Sequence, residues 1–147
     1  MVRMRGASLV LAFVVAPFTL AGGGCKQSTP STKEAAGATG EITATVNESG
    51  FQPDTWKIPA GRETTMTLKN TGSQAHDWTV LADRVSSQDD LLRYIDQDGA
   101  VLARTGDVAP GNSRSVKFRI DDPGSYQVVC VQRGHFAIAG QGTLVVK

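Results

Sequence analysis

From Ile42 to Val146 the chain repeats one local pattern: a short run that alternates apolar and polar residues, then a turn signal, then another run. Ile42-Thr43-Ala44-Thr45-Val46 has period two and leads into Asn47–Gly50, a turn composition. Phe51, Trp56 and Ile58 surround Pro53 and precede the turn Pro59-Ala60-Gly61. Thr64–Lys69 puts Met66 and Leu68 on one face before Asn70-Thr71-Gly72-Ser73 breaks it. Trp78–Leu81, Ser113–Ile120, Tyr126–Val131 and Thr143–Val146 read as further strands, with Asp121-Asp122-Pro123-Gly124 as a turn. Successive side chains of a strand point to opposite faces, so alternation implies one buried face and one wet face. Short strands at regular turn spacing predict an all-β sandwich or barrel.

One segment departs from the pattern. Ser87-Gln88-Asp89-Asp90 resembles a capping box with Asp in the place of Glu or Gln. Leu91, Leu92, Tyr94 and Ile95 follow at helical spacing, and Asp98-Gly99 ends the run. This predicts one helix inserted between strands, its apolar stripe packed on the sandwich.

The first 24 residues read as an export signal. Arg3 and Arg5 precede an apolar run from Ala7 to Ala21, followed by Gly22-Gly23-Gly24-Cys25. The run holds Pro17 and is short for a membrane span. It carries no Arg-Arg pair, which favours the Sec route over the twin-arginine route. Cys25 stands where a bacterial lipoprotein is cleaved and lipidated, although Gly22 occupies a position where Leu is usual. Lipidation there would hold the mature protein at a membrane surface; ordinary cleavage nearby would leave Cys25 a thiol. Residues 25–40 are small, polar and punctuated by Pro and Gly, the composition of a flexible tether. The folded domain is expected to span residues 41–147.

The 15 basic and 14 acidic side chains nearly cancel, which gives no support for nucleic-acid binding. There are two cysteines, Cys25 and Cys130. A bridge between them would tie a strand to a flexible leader, with little structural benefit. An exported thiol that stays reduced needs a reason, and metal ligation supplies one.

The stretch Tyr126–Thr143 (YQVVCVQRGHFAIAGQGT) carries that reason. Cys130 lies at the end of a predicted strand, and His135 in the loop that follows. His76, the chain's other histidine, opens an earlier strand. One thiolate and two imidazoles suit copper in both oxidation states, because thiolate is a soft donor and imidazole a borderline one. Each residue alone has an ordinary structural reading; the order and spacing of all three favour the metal.

These residues resemble the cupredoxins, the type 1 (blue) copper proteins, and most closely the azurin, plastocyanin and auracyanin branch. Phe51-Gln52-Pro53 with Ile58-Pro59-Ala60-Gly61, His76-Asp77-Trp78, Asp122 through Cys130 with Gly134-His135, and Gly142-Thr143-Leu144-Val145-Val146 carry the resemblance. It implies a Greek-key β-sandwich, one type 1 copper ion, and His76, Cys130 and His135 as equatorial ligands.

Three positions depart from the family pattern. Gly140 falls where the axial methionine is expected, and Met1, Met4 and Met66 lie far from the loop in sequence. Gln141 is then a candidate axial ligand through its amide oxygen; otherwise the axial position holds no side chain, or water, or a backbone carbonyl such as that of Ala75. Asp77 replaces a common Asn; it accepts the same hydrogen bonds but cannot donate. Arg133 replaces a common Pro and adds a positive charge beside the loop.

The resemblance implies an electron carrier, not an enzyme, in the periplasm or on the outer face of a membrane. The expected partner is a redox protein such as a cytochrome or oxidase, met by a monomer through an apolar rim of Phe136, Ala137 and Ile138; Phe136 and Ile138 read equally well as caps on the core. The competing reading is a periplasmic copper-binding or delivery protein, although the chain lacks Met-rich or His-rich tracts.

Overall fold

The computed structural model describes residues 40–138 and 140–147. The export signal, Cys25, the tether up to residue 39, and Met1 and Met4 lie outside the described residues. Nine strands and one short helix appear among those described: β1 Gly40–Asn47, β2 Gly50–Gln52, β3 Thr55–Ile58, β4 Thr64–Asn70, β5 Thr79–Leu81, α1 Gln88–Tyr94, β6 Val101–Arg104, β7 Ser113–Phe118, β8 Gly124–Val129 and β9 Gln141–Val146.

They form two sheets. One has the order β2-β1-β4-β7 and the other β3-β9-β8-β5-β6. β1 runs parallel to β4 and β3 parallel to β9, while the remaining pairs are antiparallel. The alternation read in the sequence becomes the wall between the sheets. Val46, Met66, Leu68, Trp78, Val128 and Leu144 are all buried there. Aromatic rings cross the gap in T-shaped and tilted contacts, Phe51 on Trp56, Trp56 on Trp78, and Trp78 on Phe118. Such geometry sets the electropositive ring edge against the electron-rich face. Met66 belongs to this core, on the β4 face opposite Val116 of β7.

The helix is shorter than its pattern suggested. Ser87 caps it, its Oγ accepting from Asp90 N at 3.0 Å. The Asp90 carboxylate answers by accepting from the Ser87 hydroxyl at 2.7 Å. Helical hydrogen bonding stops at Ile95, and residues 96–99 are turn. Leu91 sits in a second apolar cluster with Leu81, Val129, Val131 and Phe136. The helix therefore packs on the end of the sandwich that carries the Cys130–His135 loop. β6 had no clear signal, because Val101-Leu102-Ala103 does not alternate.

Candidate metal centre

Three different parts of the fold deliver the three candidate ligands. Cys130 follows the last residue of β8, and its N–H donates to Gly140 O at 2.8 Å, which carries the β8–β9 pairing one step further. His76 precedes β5 and is fixed by a two-way bridge, His76 N to Val108 O at 3.2 Å and Val108 N to His76 O at 2.8 Å. His135 lies in a turn closed by His135 N to Gln132 O at 3.1 Å and Gly140 N to His135 O at 2.8 Å. Gly134, at φ +84°, takes the left-handed step that brings His135 round.

The donor atoms of these three residues lie within 4.8 Å of one another. Cys130 Sγ is 3.5 Å from His135 Nδ1 and 3.9 Å from His76 Nδ1. Two donors at bond lengths of roughly 2.0 and 2.3 Å, set at a trigonal angle around one ion, lie roughly 3.7 Å apart. The group can hold one metal ion without large movement. The imidazole rings sit 4.6 Å apart at 37°. His76 is 1% exposed and Cys130 is buried, while His135 is half-buried beneath a cleft of about 270 Å³ that Glu48, Gln74, Arg133 and Ile138 also line.

Burial controls the protonation of the site. Desolvation, with the Asp77 carboxylate second, pushes the Cys130 thiol up to about 12. Desolvation, with neighbouring His135 second, pushes the His76 imidazole below its ordinary 6.5. Metal-free protein therefore holds a neutral thiol and a neutral imidazole. Linkage then predicts the stability profile. As pH falls through 6.5 the unfolded chain takes up a proton that folded His76 resists, so stability falls. As pH rises through 9.0 the unfolded chain releases a thiol proton that folded Cys130 keeps, so stability falls again. Urea melts of the metal-free domain should show a plateau between these limits and losses on either side. A profile still rising above pH 9 would contradict the buried thiol.

The loop after Cys130 is tied at four residues. Asp77 Oδ1 accepts from Val131 N at 2.7 Å. Gln132 Nε2 donates to Asp107 Oδ1 at 2.9 Å. Gly134 N donates to Gln88 Oε1 at 3.1 Å, which links the loop to α1. Gln74 Oε1 meets His135 Nε2 at 3.0 Å. Arg133 is exposed.

Asp77 is the centre of this bracing. It is wholly buried, and its Oδ2 accepts from Arg104 Nε at 2.9 Å and from Thr79 Oγ1 at 3.2 Å. Its backbone N–H points at Cys130 Sγ at 3.4 Å. The Asp for Asn exchange thus comes with a cation. Arg104, at the end of β6, neutralises a carboxylate that would otherwise be buried alone. Nothing in the sequence marks Gln74, Gln88 or Arg104 as a brace: Gln74 and Gln88 lie far along the chain from the loop they touch, and Arg104 acts through Asp77.

Gly140 and Gln141 decide the fourth position. A Cβ on Gly140 would stand 2.8 Å from His135 O and 3.1 Å from Cys130 Cβ. The loop closes onto that α-carbon, leaving no room for a side chain. The Gln141 amide is engaged at both ends. Its Nε2 donates to Phe136 O at 3.0 Å and its Oε1 accepts from Gln127 Nε2 at 3.3 Å. The structure brings His76, Cys130 and His135 together, while the Gln141 amide is hydrogen-bonded to Phe136 and Gln127. Phe136 also differs from its reading as surface rim. It turns inward onto Leu91 and Val131, while Ala137 and Ile138 stay exposed, Ile138 at 79%.

The sequence profile of the family described as "Cupredoxin-like domain" matches residues 11–146. No match was found among curated protein sequences. Solved structures that share the fold include three auracyanins. Auracyanin from Roseiflexus castenholzii, in its dithionite-reduced form, is 22% identical with TM-score 0.63, covering 76% of this chain and 99% of that one. Auracyanin B is 22% identical with TM-score 0.62, covering 76% and 90%. Auracyanin A from Chloroflexus aurantiacus, titled a "blue" copper protein, is 20% identical with TM-score 0.59, covering 74% and 100%. The family profile, the two-sheet sandwich and the gathered donors at its end agree: the chain belongs to the cupredoxin-like family.

Proposed function

We propose that the domain carries single electrons on one copper ion, with His76, Cys130 and His135 as equatorial ligands and no side chain in the axial position. The observation that carries this reading is the convergence of one thiol and two imidazole nitrogens within 4.8 Å. A Cys with two His in trigonal arrangement is the donor set of blue-copper electron transfer. Structural zinc favours a fourth tetrahedral ligand, and the described residues add none to this group. Bound copper would supply a one-electron couple between Cu(II) and Cu(I).

The chain's own groups do the rest. Cys130 would hold copper as its thiolate, and the backbone N–H of Asp77 is directed at that sulfur. The bridge at His76 and the four ties on the loop keep the ligands in place, so a change in copper charge meets little rearrangement. Asp77 alone accepts from Val131, Thr79 and Arg104.

The export pattern of residues 1–24 supports a place outside the cytoplasm, with Cys25 as lipid anchor and the tether joining it to the domain. No helix among the described residues is long and apolar enough to cross a membrane. The cleft edge, where Arg133 and Ile138 are exposed, is the proposed face for brief contact with a redox partner.

The copper-loaded soluble domain should show an intense thiolate-to-copper band toward the red end of the visible spectrum, with an EPR signal in the oxidised form. Cys130→Ser should lose the band. A colourless wild type that binds no copper overturns the proposal. Gln141→Ala should leave the reduction potential where it was, since the amide is engaged by Gln127 and Phe136. A clear shift in potential would restore Gln141 as an axial donor.

A further inference from the structure

We infer that Gln74 is a positioning residue for His135, presetting the tautomer that leaves Nδ1 free for metal and covering the outer edge of the ring. An imidazole can offer Nδ1 to a metal only when its proton sits on Nε2. His135 Nδ1 faces Cys130 Sγ at 3.5 Å, and His135 Nε2 faces Gln74 Oε1 at 3.0 Å. An amide oxygen accepts and does not donate, so this contact places the proton on Nε2.

Gln74 is exposed, yet its backbone is held from two sides. Gln74 N donates to Glu48 Oε1 at 3.2 Å, and the same carboxylate oxygen takes Ser73 N at 2.6 Å and Ser73 Oγ at 2.9 Å. Asn70, wholly buried, donates from Nδ2 to Gln74 O at 2.6 Å and to Val108 O at 2.8 Å. Val108 is the residue that bridges His76. One short segment thus connects the backbone under His76 to the outer nitrogen of His135. The two histidines are treated differently: His76 Nε2 is buried with no side-chain or backbone acceptor, so no protein group fixes that nitrogen as Gln74 fixes His135. His135, on a turn and half-exposed, needs an acceptor to fix it.

The tautomer half of this inference stands on the metal-free geometry; the effect on metal rests on the copper reading above. Outer partners of metal-bound histidines are typically worth about 10–100-fold in metal affinity. Gln74→Leu keeps bulk over the ring and removes the acceptor. Gln74→Glu keeps an acceptor. Imidazole nitrogen chemical shifts of the metal-free domain, read by two-dimensional NMR, report the tautomer of His135. Cu(I) affinity is read by competition with bicinchoninate. Wild type and Gln74→Glu should hold the Nε2-protonated form. Gln74→Leu should populate both tautomers and bind Cu(I) about tenfold more weakly. A folded Gln74→Leu domain with the wild-type tautomer ratio, or with wild-type Cu(I) affinity, overturns the inference. The copper reading is judged separately, on the wild-type spectrum.

Discussion

Gly140→Ala should destabilise the metal-free domain by about 1–3 kcal/mol, and Gly140→Met should do no better. The expectation runs against the family pattern, in which a methionine at this position would complete the copper site. The reason is local. Cys130 N donates to Gly140 O and Gly140 N donates to His135 O, each at 2.8 Å, so the residue is stitched to two ligand positions through its backbone. A Cβ would enter 2.8 Å from a carbonyl oxygen that one of those bonds holds in place. Neither contact can yield by turning a side chain. The loop must move, and it carries His135. Denaturant melts of the metal-free variants give the cost, and the visible band of the loaded variants reports the displaced ligand. A Gly140→Met protein of wild-type stability, with a lowered potential and an intact band, would show that the loop accommodates an axial methionine after all.

Asp77→Ala should cost about 3 kcal/mol, at roughly 1–3 kcal/mol for each buried donor left without an acceptor. Val131 N and the Thr79 hydroxyl both lose theirs. Arg104 loses its partner as well, but its side chain is 39% exposed and can turn to water. Asp77→Asn should be milder, about 1 kcal/mol, because the amide oxygen still serves Val131 N while the amide N–H groups face the guanidinium. The pairing with Arg104 is testable on its own. In a double-mutant cycle, Arg104→Ala should cost clearly less in the Asp77→Ala background than in wild type. Urea melts of the four proteins measure this. Additive costs would mean that Arg104 and Asp77 act independently and that the exchange of Asn for Asp needs another explanation.

Much of this was legible in the chain. Alternation in Ile42–Val46, Thr64–Lys69 and Ser113–Ile120 located strands β1, β4 and β7, because a half-buried strand sets apolar and polar residues on its two faces in turn. The short apolar β5, Thr79–Leu81, was found from its composition, and it lies buried throughout. Ser87 announced the helix start because capping is a contact between residues three apart. The helix end and β6 were less legible. The apolar spacing runs to Ile95 and the stop signal is Asp98-Gly99, whereas the helix ends at Tyr94, and Val101–Arg104 is paired by β5 and not by its own pattern.

The site divides in the same way. Its candidate donors were readable, since a thiolate and two imidazoles are a set that suits copper, and two of the three lie five residues apart in one loop. Its supports were not. Gln74 and Gln88 touch the loop from sequence distances of dozens of residues, Arg104 reaches it only through Asp77, and nothing local marks a surface glutamine as a brace. Gly140 shows the boundary most clearly. Its identity, and hence the missing methionine side chain, was written in the sequence. That a side chain would not fit, and that Gln141 turns to Gln127 and Phe136, was decided by the backbone of β9 and the loop closing on each other. Local chemistry reads along the chain; steric room and the partner of a polar group exist only once distant segments are packed.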